Sequence, residues 1–279
     1  MEYATLNNGV KMPMAGIGTF LLTPDEAEAS CVSALRNGYR LIDTAAAYFN
    51  EEAVGAALRK SGIPREELFI ATKLWIQDAG YENAKQAFQT SLDKLGLDYL
   101  DLYLIHQPFG DYYGSWRAME ELYEAGKIRA IGVCNFYPER LTDLACNARI
   151  QPMVNQVELH PFFAQTDALA NMKALGIQPE AWGPLAEGNH GIFTHPLLTD
   201  LGKKYGKTAA QTALRFLMQS DVVIIPKSIH KERMQQNFDL FDFTLTADDM
   251  AAIEALDGGE SLFFSHYDPK TVEWFMSIL

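Results

Sequence analysis

The sequence contains few cysteines, no excess of positive charge and no long apolar run. Its 279 residues include three cysteines, Cys31, Cys134 and Cys146, whose odd number and spacing argue against a disulfide framework or a zinc site. The 36 acidic residues outnumber the 23 basic ones, and a formal charge of −13 argues against non-specific binding to nucleic acid or anionic membranes. No apolar run is long enough to span a bilayer, and the first residues lack the apolar core of a signal peptide. We therefore expect a cytoplasmic protein with neither nucleic-acid nor membrane partners.

The common nucleotide-binding signatures are also missing. The segment GIGTF has two glycines but does not complete G-x-G-x-x-G, and there is no G-x-x-x-x-G-K-[ST]. Instead, two cations and a hydroxyl follow the apolar segment VVII, namely Lys227, Arg233 and Ser228. In barrel enzymes a phosphate site often lies after the last strands, at a helix N-terminus. A local cluster of cations in a strongly anionic chain therefore predicts a bound anion, such as a phosphate beside a sugar.

Strand-like and helix-like segments alternate along the whole chain. Eight segments are typical of strands: AGIGTF, YRLIDTA, LFIATKL, YLDLYLIH, IRAIGVCN, MVNQVEL, QPEAWGPL and VVIIPKS. Between them lie amphipathic stretches such as PDEAEASCVSALRNG, EEAVGAALRKSG, ENAKQAFQTSLDKLG and AAQTALRFLMQ, several of which end at a glycine, namely Gly38, Gly62, Gly96 and Gly126. This alternation predicts a closed (β/α)8 barrel, and the length fits one domain spanning residues 1–279.

Additional segments precede and follow the predicted barrel. Around TLNNGVKM, two short strands turned at Asn7-Asn8-Gly9 predict a hairpin that plugs the amino end of the barrel. After Asp239, the segment TADDMAAIEAL predicts one more helix, and a short Phe-rich tail, SLFFSHYDPKTVEWF, follows it. The aromatic residues of this tail either cover a pocket or bury the tail against the barrel wall.

Four polar residues, Asp43, Tyr48, Lys73 and His106, lie at or just past the ends of three consecutive predicted strands. The carboxyl ends of parallel strands meet on one face, so these side chains should converge there. A tyrosine with an ordinary pKa of about 10 is a weak acid at neutral pH, and a neighbouring cation lowers that pKa. Lys73 is placed to act as the cation, and Asp43 is placed to hold it.

Each of these four residues also has an ordinary structural interpretation. Asp43 alone would often cap a helix, Tyr48 would be a packed aromatic, Lys73 a solvated side chain and His106 a core histidine. The joint pattern favours a site, because four such residues at consecutive strand ends are improbable by chance. A metal site is disfavoured, since Lys73 would repel a cation. Of the remaining histidines, His160 is expected to have a structural role at the end of the sixth strand. The others are expected to be exposed, namely His190, His195, His230 and His266.

Several long motifs in a fixed order resemble the aldo-keto reductase family nearly from end to end. They are GIGTF, YRLIDTAAAYFNE, ATKLW, DYLDLYLIHQP, AIGVCNF, NQVELHP and IPKSIHKER. The resemblance implies NADPH-dependent reduction of aldehydes and ketones by a monomer, with Asp43, Tyr48, Lys73 and His106 as the catalytic tetrad. Within the family, the chain most resembles short bacterial members such as 2,5-diketo-D-gluconate and methylglyoxal reductases. The features that carry this resemblance are Trp182 in AWGPL, the short loop after His106 and the short tail.

The resemblance also implies the residues of the cofactor and substrate sites. Asn135 and Gln156 would bind the nicotinamide carboxamide, Trp182 would stack on the ring, and Pro184 and Leu185 would line the pyrophosphate. Further cofactor contacts are implied for Gly18, Thr19, Asp43, Gly183, Lys227, Ser228, Ile229, Arg233, Gln236 and Asn237. Substrate contacts are implied for Phe20, Tyr48, Phe49, Trp75 and His106. No metal is implied.

Two positions depart from the common family pattern. Cys134 stands where a serine is usual, which removes a strong hydrogen-bonding hydroxyl and should weaken carboxamide anchoring modestly. Gln236 stands where a glutamate is usual, which leaves its adenine contact open.

Two other functions remain possible from the residues alone. One is a barrel aldolase with Lys73 as a Schiff-base nucleophile, although a lysine held protonated by Asp43 is a poor nucleophile. The other is a barrel that binds NADPH without turnover. In the favoured function, Tyr48 protonates the developing alkoxide and neutral His106 orients the carbonyl. The aromatic pocket and its open mouth predict small or activated carbonyl substrates, such as α-dicarbonyls, keto-sugars and aromatic aldehydes.

Overall fold

The chain forms a barrel of eight parallel strands with helices between them. The computed structural model describes residues 1–278. The barrel strands are β3 (Gly16–Gly18), β4 (Leu41–Asp43), β5 (Phe69–Leu74), β6 (Leu100–Ile105), β7 (Ile128–Cys134), β8 (Val154–Glu158), β9 (Gln178–Trp182) and β10 (Val223–Ile224). Each strand pairs with the next in chain order, and Ile224 N donates to Met14 O at 3.0 Å where the first and last strands meet. The predicted (β/α)8 barrel is confirmed.

Helices connect these strands and pack their apolar faces on the barrel. They are α1 (Pro24–Arg36), α2 (Glu51–Ser61), α3 (Tyr81–Leu95), α4 (Tyr112–Glu124), α5 (Pro138–Asn147), α6 (Thr166–Leu175), α7 (Pro196–Tyr205), α8 (Ala209–Gln219) and α9 (Lys231–Phe238). Gly62 and Gly96 end α2 and α3 with φ angles of 67° and 68°, a left-handed conformation that favours glycine. Within residues 1–278, none of the helices is long and apolar enough to cross a membrane.

The predicted hairpin is present at the amino end. Strands β1 (Tyr3–Thr5) and β2 (Lys11–Pro13) pair antiparallel, and Gly9 turns the chain with a φ of 86°. Asn7 Nδ2 donates to Pro152 O at 3.0 Å, and Asn8 Nδ2 donates to Arg129 O at 2.9 Å. Both acceptors lie where β7 and β8 begin, so these bonds fix the hairpin to the amino end of the barrel.

The segment after Asp239 contains two helices, where the sequence predicted one. The predicted helix is α10 (Ala247–Glu254), which the Thr246 side chain caps. The additional helix is α11 (Pro269–Ser277), inside the Phe-rich tail. Asp268 caps it by accepting from Lys270 N, and Phe275 is buried on its inner face. The many aromatic residues of the tail obscured these helical signals in the sequence.

Polar side chains occupy the barrel interior toward the carboxyl ends of the strands. Most fully buried residues of the barrel are apolar, but Asp43, Lys73, Gln156 and Glu180 are all at most 3% exposed. The strand register places Gln156 opposite both Cys134 and Glu180. Buried polar groups must find partners inside the protein, so their contacts define the candidate site.

Candidate active site

A fully buried ion pair joins the two charged members of the predicted tetrad. Lys73 on β5 donates to the Oδ1 atom of Asp43, the last residue of β4, and to Thr44 O at 2.9 Å. Lys73 is not exposed at all, and Asp43 is 2% exposed. Burial works against the ammonium, but Asp43 and then Tyr48 outweigh it and raise the pKa of Lys73 above its usual value. This favours the charged form of Lys73, and a protonated lysine is a poor Schiff-base nucleophile.

Tyr48 lies in a turn that is anchored on both sides. A short 3₁₀ turn (Ala46–Tyr48) follows β4, and Phe49 then adopts a left-handed φ of 55°. The buried Asn50 side chain donates to Thr19 O and Leu22 O at 3.0 and 3.1 Å. Asn50 Oδ1 also accepts from Thr44 Oγ1 at 2.9 Å. These bonds compensate for the unusual backbone and hold the Tyr48 ring beside Lys73, whose Nζ is 5.1 Å from the ring centroid.

His106 follows β6 and faces the Tyr48 hydroxyl. Its Nε2 lies 3.5 Å from Tyr48 Oη, and its ring packs edge-on against Trp75 at a centroid distance of 5.1 Å. Burial, followed by the charge of Lys73, lowers the pKa of His106 well below its usual value, so the imidazole is neutral. Within residues 1–278, Nδ1 is buried with no hydrogen-bond partner. An unpaired acceptor is tolerated better than an unpaired N–H, so the proton belongs on Nε2, toward Tyr48.

Burial changes the acidity expected for Tyr48. The loss of solvent raises the pKa of Tyr48 to about 12, and the charge of Lys73 opposes this rise. From the sequence, Lys73 is predicted to bring the pKa of Tyr48 below its ordinary value, but in the structure the desolvation of the phenol is larger than the attraction of the ammonium. Lys73 still makes Tyr48 a stronger acid than an equally buried phenol without a cation would be.

Asn135, Gln156 and Trp182 form a connected group beside the tetrad. Trp182 Nε1 donates to Asn135 Oδ1 at 2.8 Å, and Asn135 Nδ2 donates to His106 O at 3.2 Å. Gln156 Nε2 donates to Asp43 Oδ2 at 3.0 Å and to Glu180 Oε2 at 2.9 Å. Both amide hydrogens of Gln156 are therefore used, and only its carbonyl oxygen remains for a ligand.

The predicted phosphate site combines exposed cations with a helix start. Lys227 and Arg233 are exposed and, within residues 1–278, neither forms an ion pair with a carboxylate. Ser228 is nearly buried, and its Oγ accepts from His230 N at 3.1 Å just before α9 begins. A helix N-terminus with two unpaired cations is a suitable environment for a phosphate.

The other predicted cofactor residues differ in accessibility. Thr19 is buried and donates to Asp43 O at 3.1 Å, and a Cβ atom on Gly18 would lie 2.8 Å from Ile225 O. Both residues therefore have a structural role at this end of the barrel. Ile229 and Gln236 are exposed, Gly183 and Leu185 are partly exposed, and Pro184 and Asn237 are buried.

The predicted pocket residues surround the tetrad unevenly. Phe20 packs on the Tyr48 ring at a centroid distance of 5.1 Å and is 45% exposed. Trp75 contacts both His106 and Phe275 of the tail. Phe49 is 85% exposed and packs on little of the protein, so its role in a pocket stays a prediction.

The tail covers one side of the site. Phe263 and Phe264 contact the Trp182 ring at centroid distances of 5.4 and 6.4 Å, and Phe275 lies 6.1 Å from Trp75. The Glu158 carboxylate fixes the start of this segment by accepting from Ser261 Oγ at 2.6 Å and Leu262 N at 3.0 Å. The tail thus packs beside the predicted pocket and not only against the outer wall.

His266 is buried, so the predicted exposure of this histidine is wrong. It is 5% exposed, and its Nε2 lies 2.8 Å from Gln107 Oε1. Gln107 in turn accepts from Asn135 Nδ2 at 3.4 Å. The aromatic rings of Phe109 and Phe275 stack on the imidazole. The tail brings this histidine under its own aromatic cluster, which sequence spacing does not reveal. His160 is buried beside Glu158, in agreement with a structural role.

Sequence reasoning missed Asn50, Gln107 and Glu180 as parts of the site. Asn50 belongs to the motif that carries Tyr48, and Gln107 follows His106 directly. Glu180 had the clearest signal, since it is the one acidic residue in the strand segment QPEAW. A charged side chain in a buried strand requires a partner.

Comparison with known proteins agrees with this geometry. Residues 14–258 match the model of the aldo/keto reductase family. The chain belongs to this family.

It is 50% identical over 257 residues to glyoxal reductase of Bacillus subtilis, a match that covers 91% of this chain and 92% of that protein. It is 47% identical over 282 residues to morphine 6-dehydrogenase of Pseudomonas putida, which covers 96% and 94%. A crystal structure of a Bombyx mori aldo-keto reductase in complex with NADP superposes with a TM-score of 0.90 at 37% identity, which covers 94% of this chain and 95% of that one.

The aldo-keto reductase is thus an NADP-dependent oxidoreductase that acts on small carbonyl compounds. Its own residues fit the cofactor. The carbonyl oxygen of Gln156 has no donor among residues 1–278, so it is available to a carboxamide N–H. Lys227 and Arg233 are exposed and offer positive charge to an anion. This donor set suits a nicotinamide at the barrel mouth and a phosphate near α9.

Proposed function

We propose that this aldo-keto reductase reduces small aldehydes and ketones to alcohols with NADPH, with Tyr48 as the general acid. The proposal rests on one arrangement: Tyr48 Oη and His106 Nε2 lie 3.5 Å apart beside the buried Lys73–Asp43 pair. Two donors aimed at one point can hold a carbonyl oxygen between them. The negative charge that develops on this oxygen would be stabilised by both donors and by the nearby ammonium.

Three groups of residues would hold three parts of the cofactor. Asn135 and the Gln156 carbonyl oxygen would bind the carboxamide, the Trp182 indole would pack on the nicotinamide, and Lys227, Ser228 and Arg233 would bind the 2′-phosphate. When bound, NADPH supplies the hydride. Trp182 is already oriented by its bond to Asn135, which favours a preformed nicotinamide site.

Tyr48 supplies the proton in this proposal. Its half-buried phenol is protonated at neutral pH, as an acid must be before it reacts. The Lys73 charge stabilises the phenolate that remains after proton transfer, and Asp43 keeps Lys73 in place. His106 is neutral and cannot be the acid, so its Nε2–H would orient the carbonyl.

The shape of the mouth supports small or activated substrates, such as α-dicarbonyls, keto-sugars and aromatic aldehydes. Phe20 and Trp75 provide apolar walls, whereas the exposure of Phe49 leaves one side open. The similarity to a glyoxal reductase supports a dicarbonyl substrate. The similarity to morphine 6-dehydrogenase supports a second candidate, the oxidation of a bulky cyclic alcohol.

A substrate panel tests the proposal and separates the two candidates. NADPH oxidation would be measured with glyoxal, methylglyoxal, glyceraldehyde, nitrobenzaldehyde and a keto-sugar acid. NADP reduction would be measured with morphine and with a steroid alcohol. The proposal expects the highest kcat/KM for a small carbonyl, and it expects Tyr48→Phe to lose turnover on every substrate. Binding of NADPH without turnover on the whole panel would contradict it.

The cytoplasmic location and monomeric state expected from the sequence are part of the proposal. All three cysteines are free, and Cys31 and Cys134 are buried, which is compatible with a reducing compartment. Light scattering of the purified protein would test the monomer directly.

A further inference from the structure

Glu180 is a buried carboxyl group that the proposed mechanism does not use. It lies on β9 in the barrel interior and has no exposed surface. Its Oε2 atom accepts from Gln156 Nε2 at 2.9 Å, and the same nitrogen donates to Asp43 Oδ2 at 3.0 Å. One amide group therefore connects Glu180 to the Lys73–Asp43 pair.

The surroundings of Glu180 favour its neutral form. Within residues 1–278, its Oε1 atom is buried and has no hydrogen-bond partner. A carboxylate with one desolvated oxygen is unfavourable unless a cation compensates it. Lys73 is the nearby cation, but it already donates to Asp43 and to Thr44 O. Burial, followed by the charge of Asp43, raises the pKa of Glu180 to about 8, against the opposing effects of Gln156 and Lys73.

The charged and titratable groups around Glu180 come from several elements. Asp43 extends from β4, Lys73 from β5 and Cys134 from β7, while the neutral amide of Gln156 comes from β8. The register neighbour on β10 is Val223, which is apolar. Tyr48 faces the same pair from its turn and interacts with the charges of Lys73, Asp43 and Cys134. A proton lost from Glu180 would thus place a second negative charge in a cluster with one cation.

We propose that Glu180 is a positioning residue for carbonyl reduction, which as a neutral acid holds Gln156 against Asp43 and leaves the charge of Lys73 to Tyr48. This inference rests on the proposed function of Tyr48. Ionised Glu180 would attract Lys73 and disfavour the phenolate, so Tyr48 would become a weaker acid. Reduction would then slow as the pH rises above about 8, before Tyr48 itself ionises near 12.

The pH dependence of kcat at saturating NADPH and carbonyl tests this inference. In the native enzyme, kcat should fall by up to about tenfold as Glu180 ionises. A tenfold change is the most that a rise of about one unit in the pKa of the Tyr48 acid would cause. Glu180→Gln replaces the acid by a neutral group of the same shape, so its kcat, taken relative to its own value at pH 7, should lose this alkaline decline. Glu180→Asp should restore a decline at a shifted pH.

Matched controls separate this effect from a structural one. Glu120 on α4 is also buried, and it accepts from Arg149 N and Ile150 N and not from a residue of the site. Glu120→Gln should leave the pH profile unchanged. An alkaline decline that persists unchanged in Glu180→Gln would overturn the inference, because the decline would then belong to another group.

A measurement without turnover provides a second test. Infrared spectra of the cofactor-free protein should contain a protonated carboxyl band near pH 7 that disappears at alkaline pH and is absent in Glu180→Gln. Absence of this band in the native protein would contradict the inference, even if Glu180→Gln folds poorly. If no carbonyl is reduced by the native enzyme, the proposed function fails separately, while the infrared titration still decides whether Glu180 holds its proton.

Discussion

The hydroxyl of Tyr48 lies 3.5 Å from Nε2 of His106. The two groups come from different connections of the barrel, and each is held by its own surroundings: Tyr48 by the Asn50 anchor, and His106 by Trp75 and the barrel rim. Burial keeps the phenol protonated and the imidazole neutral. Two donors with different chemistry thus face one space, and in the proposed mechanism Tyr48 is the one that releases its proton there.

Tyr48→Phe should remove the acid and little else. The change deletes one hydroxyl, which lies 3.5 Å from His106 Nε2, and leaves the ring in place, so the barrel and the cofactor site should persist. We expect turnover to fall by about 100-fold or more, the scale for loss of a positioned general acid. NADPH binding, measured by tryptophan quenching, should change little. Near-normal turnover would show that the proton comes from another group.

Arg233→Ala should reduce selectivity for NADPH over NADH. The guanidinium is exposed at the start of α9 and offers several donors to a 2′-phosphate, each bond worth about 1.5–3 kcal/mol. NADPH affinity should therefore decrease much more than NADH affinity, with kcat nearly unchanged. The difference should shrink at high salt. Lys231→Ala, which removes an equal charge two residues away, is the matched control. Equal weakening of both cofactors by Arg233→Ala would exclude Arg233 as the phosphate contact.

Small carbonyls should be better substrates than steroids. The exposed Phe49 and the short connection after His106 give few contacts to a large apolar ligand. We expect a higher kcat/KM for methylglyoxal or nitrobenzaldehyde than for any steroid ketone. The opposite ranking would mean that the Phe-rich tail rearranges to enclose larger ligands.

His266 should make the docking of the tail sensitive to acid. Burial, followed by the charge of Arg140, lowers the pKa of His266 from 6.5 to about 4. The folded state thus binds fewer protons than the unfolded state between these values, so stability falls as the pH decreases from 6.5 toward 4. A shift of this size corresponds to at most about 3.4 kcal/mol.

Hydrogen exchange of residues 262–277 would measure this effect. Intrinsic amide exchange slows between pH 7 and pH 5, and exchange in the native tail should slow less than this because its protection decreases. His266→Gln keeps a donor toward Gln107 and removes the titration, so its protection should not decrease over this range. His190→Gln, which changes an exposed histidine, is the control. Identical behaviour of the two variants would assign the acid sensitivity to another group.

Local sequence signals were sufficient for the barrel and for the convergence of the tetrad. Alternation of apolar segments with amphipathic ones requires a sheet covered by helices, and parallel strands bring their carboxyl ends to one face. Asp43, Lys73 and His106 could therefore be placed together from their positions at strand ends alone. The hairpin at Asn7-Asn8-Gly9 followed from turn chemistry, because glycine tolerates the φ of 86° found there.

Sequence alone could not supply the contacts between segments far apart in the chain. The buried state of His266 depends on a tail that folds back over Gln107, 159 positions earlier. Helix α11 inside this tail was missed, although Asp268 and Pro269 at its start are helix-start signals in the sequence.

The sequence by itself determined the strand order, the helical covering and which polar side chains share the carboxyl end, since these depend on local periodicity and on parallel pairing. The tertiary structure decided the electrostatics. Burial raises the pKa of Tyr48 where the charge of Lys73 alone would lower it, and it raises the pKa of Glu180, which accepts from Gln156. Desolvation depends on every atom that excludes water from a group, and that number is known only once the whole chain has folded.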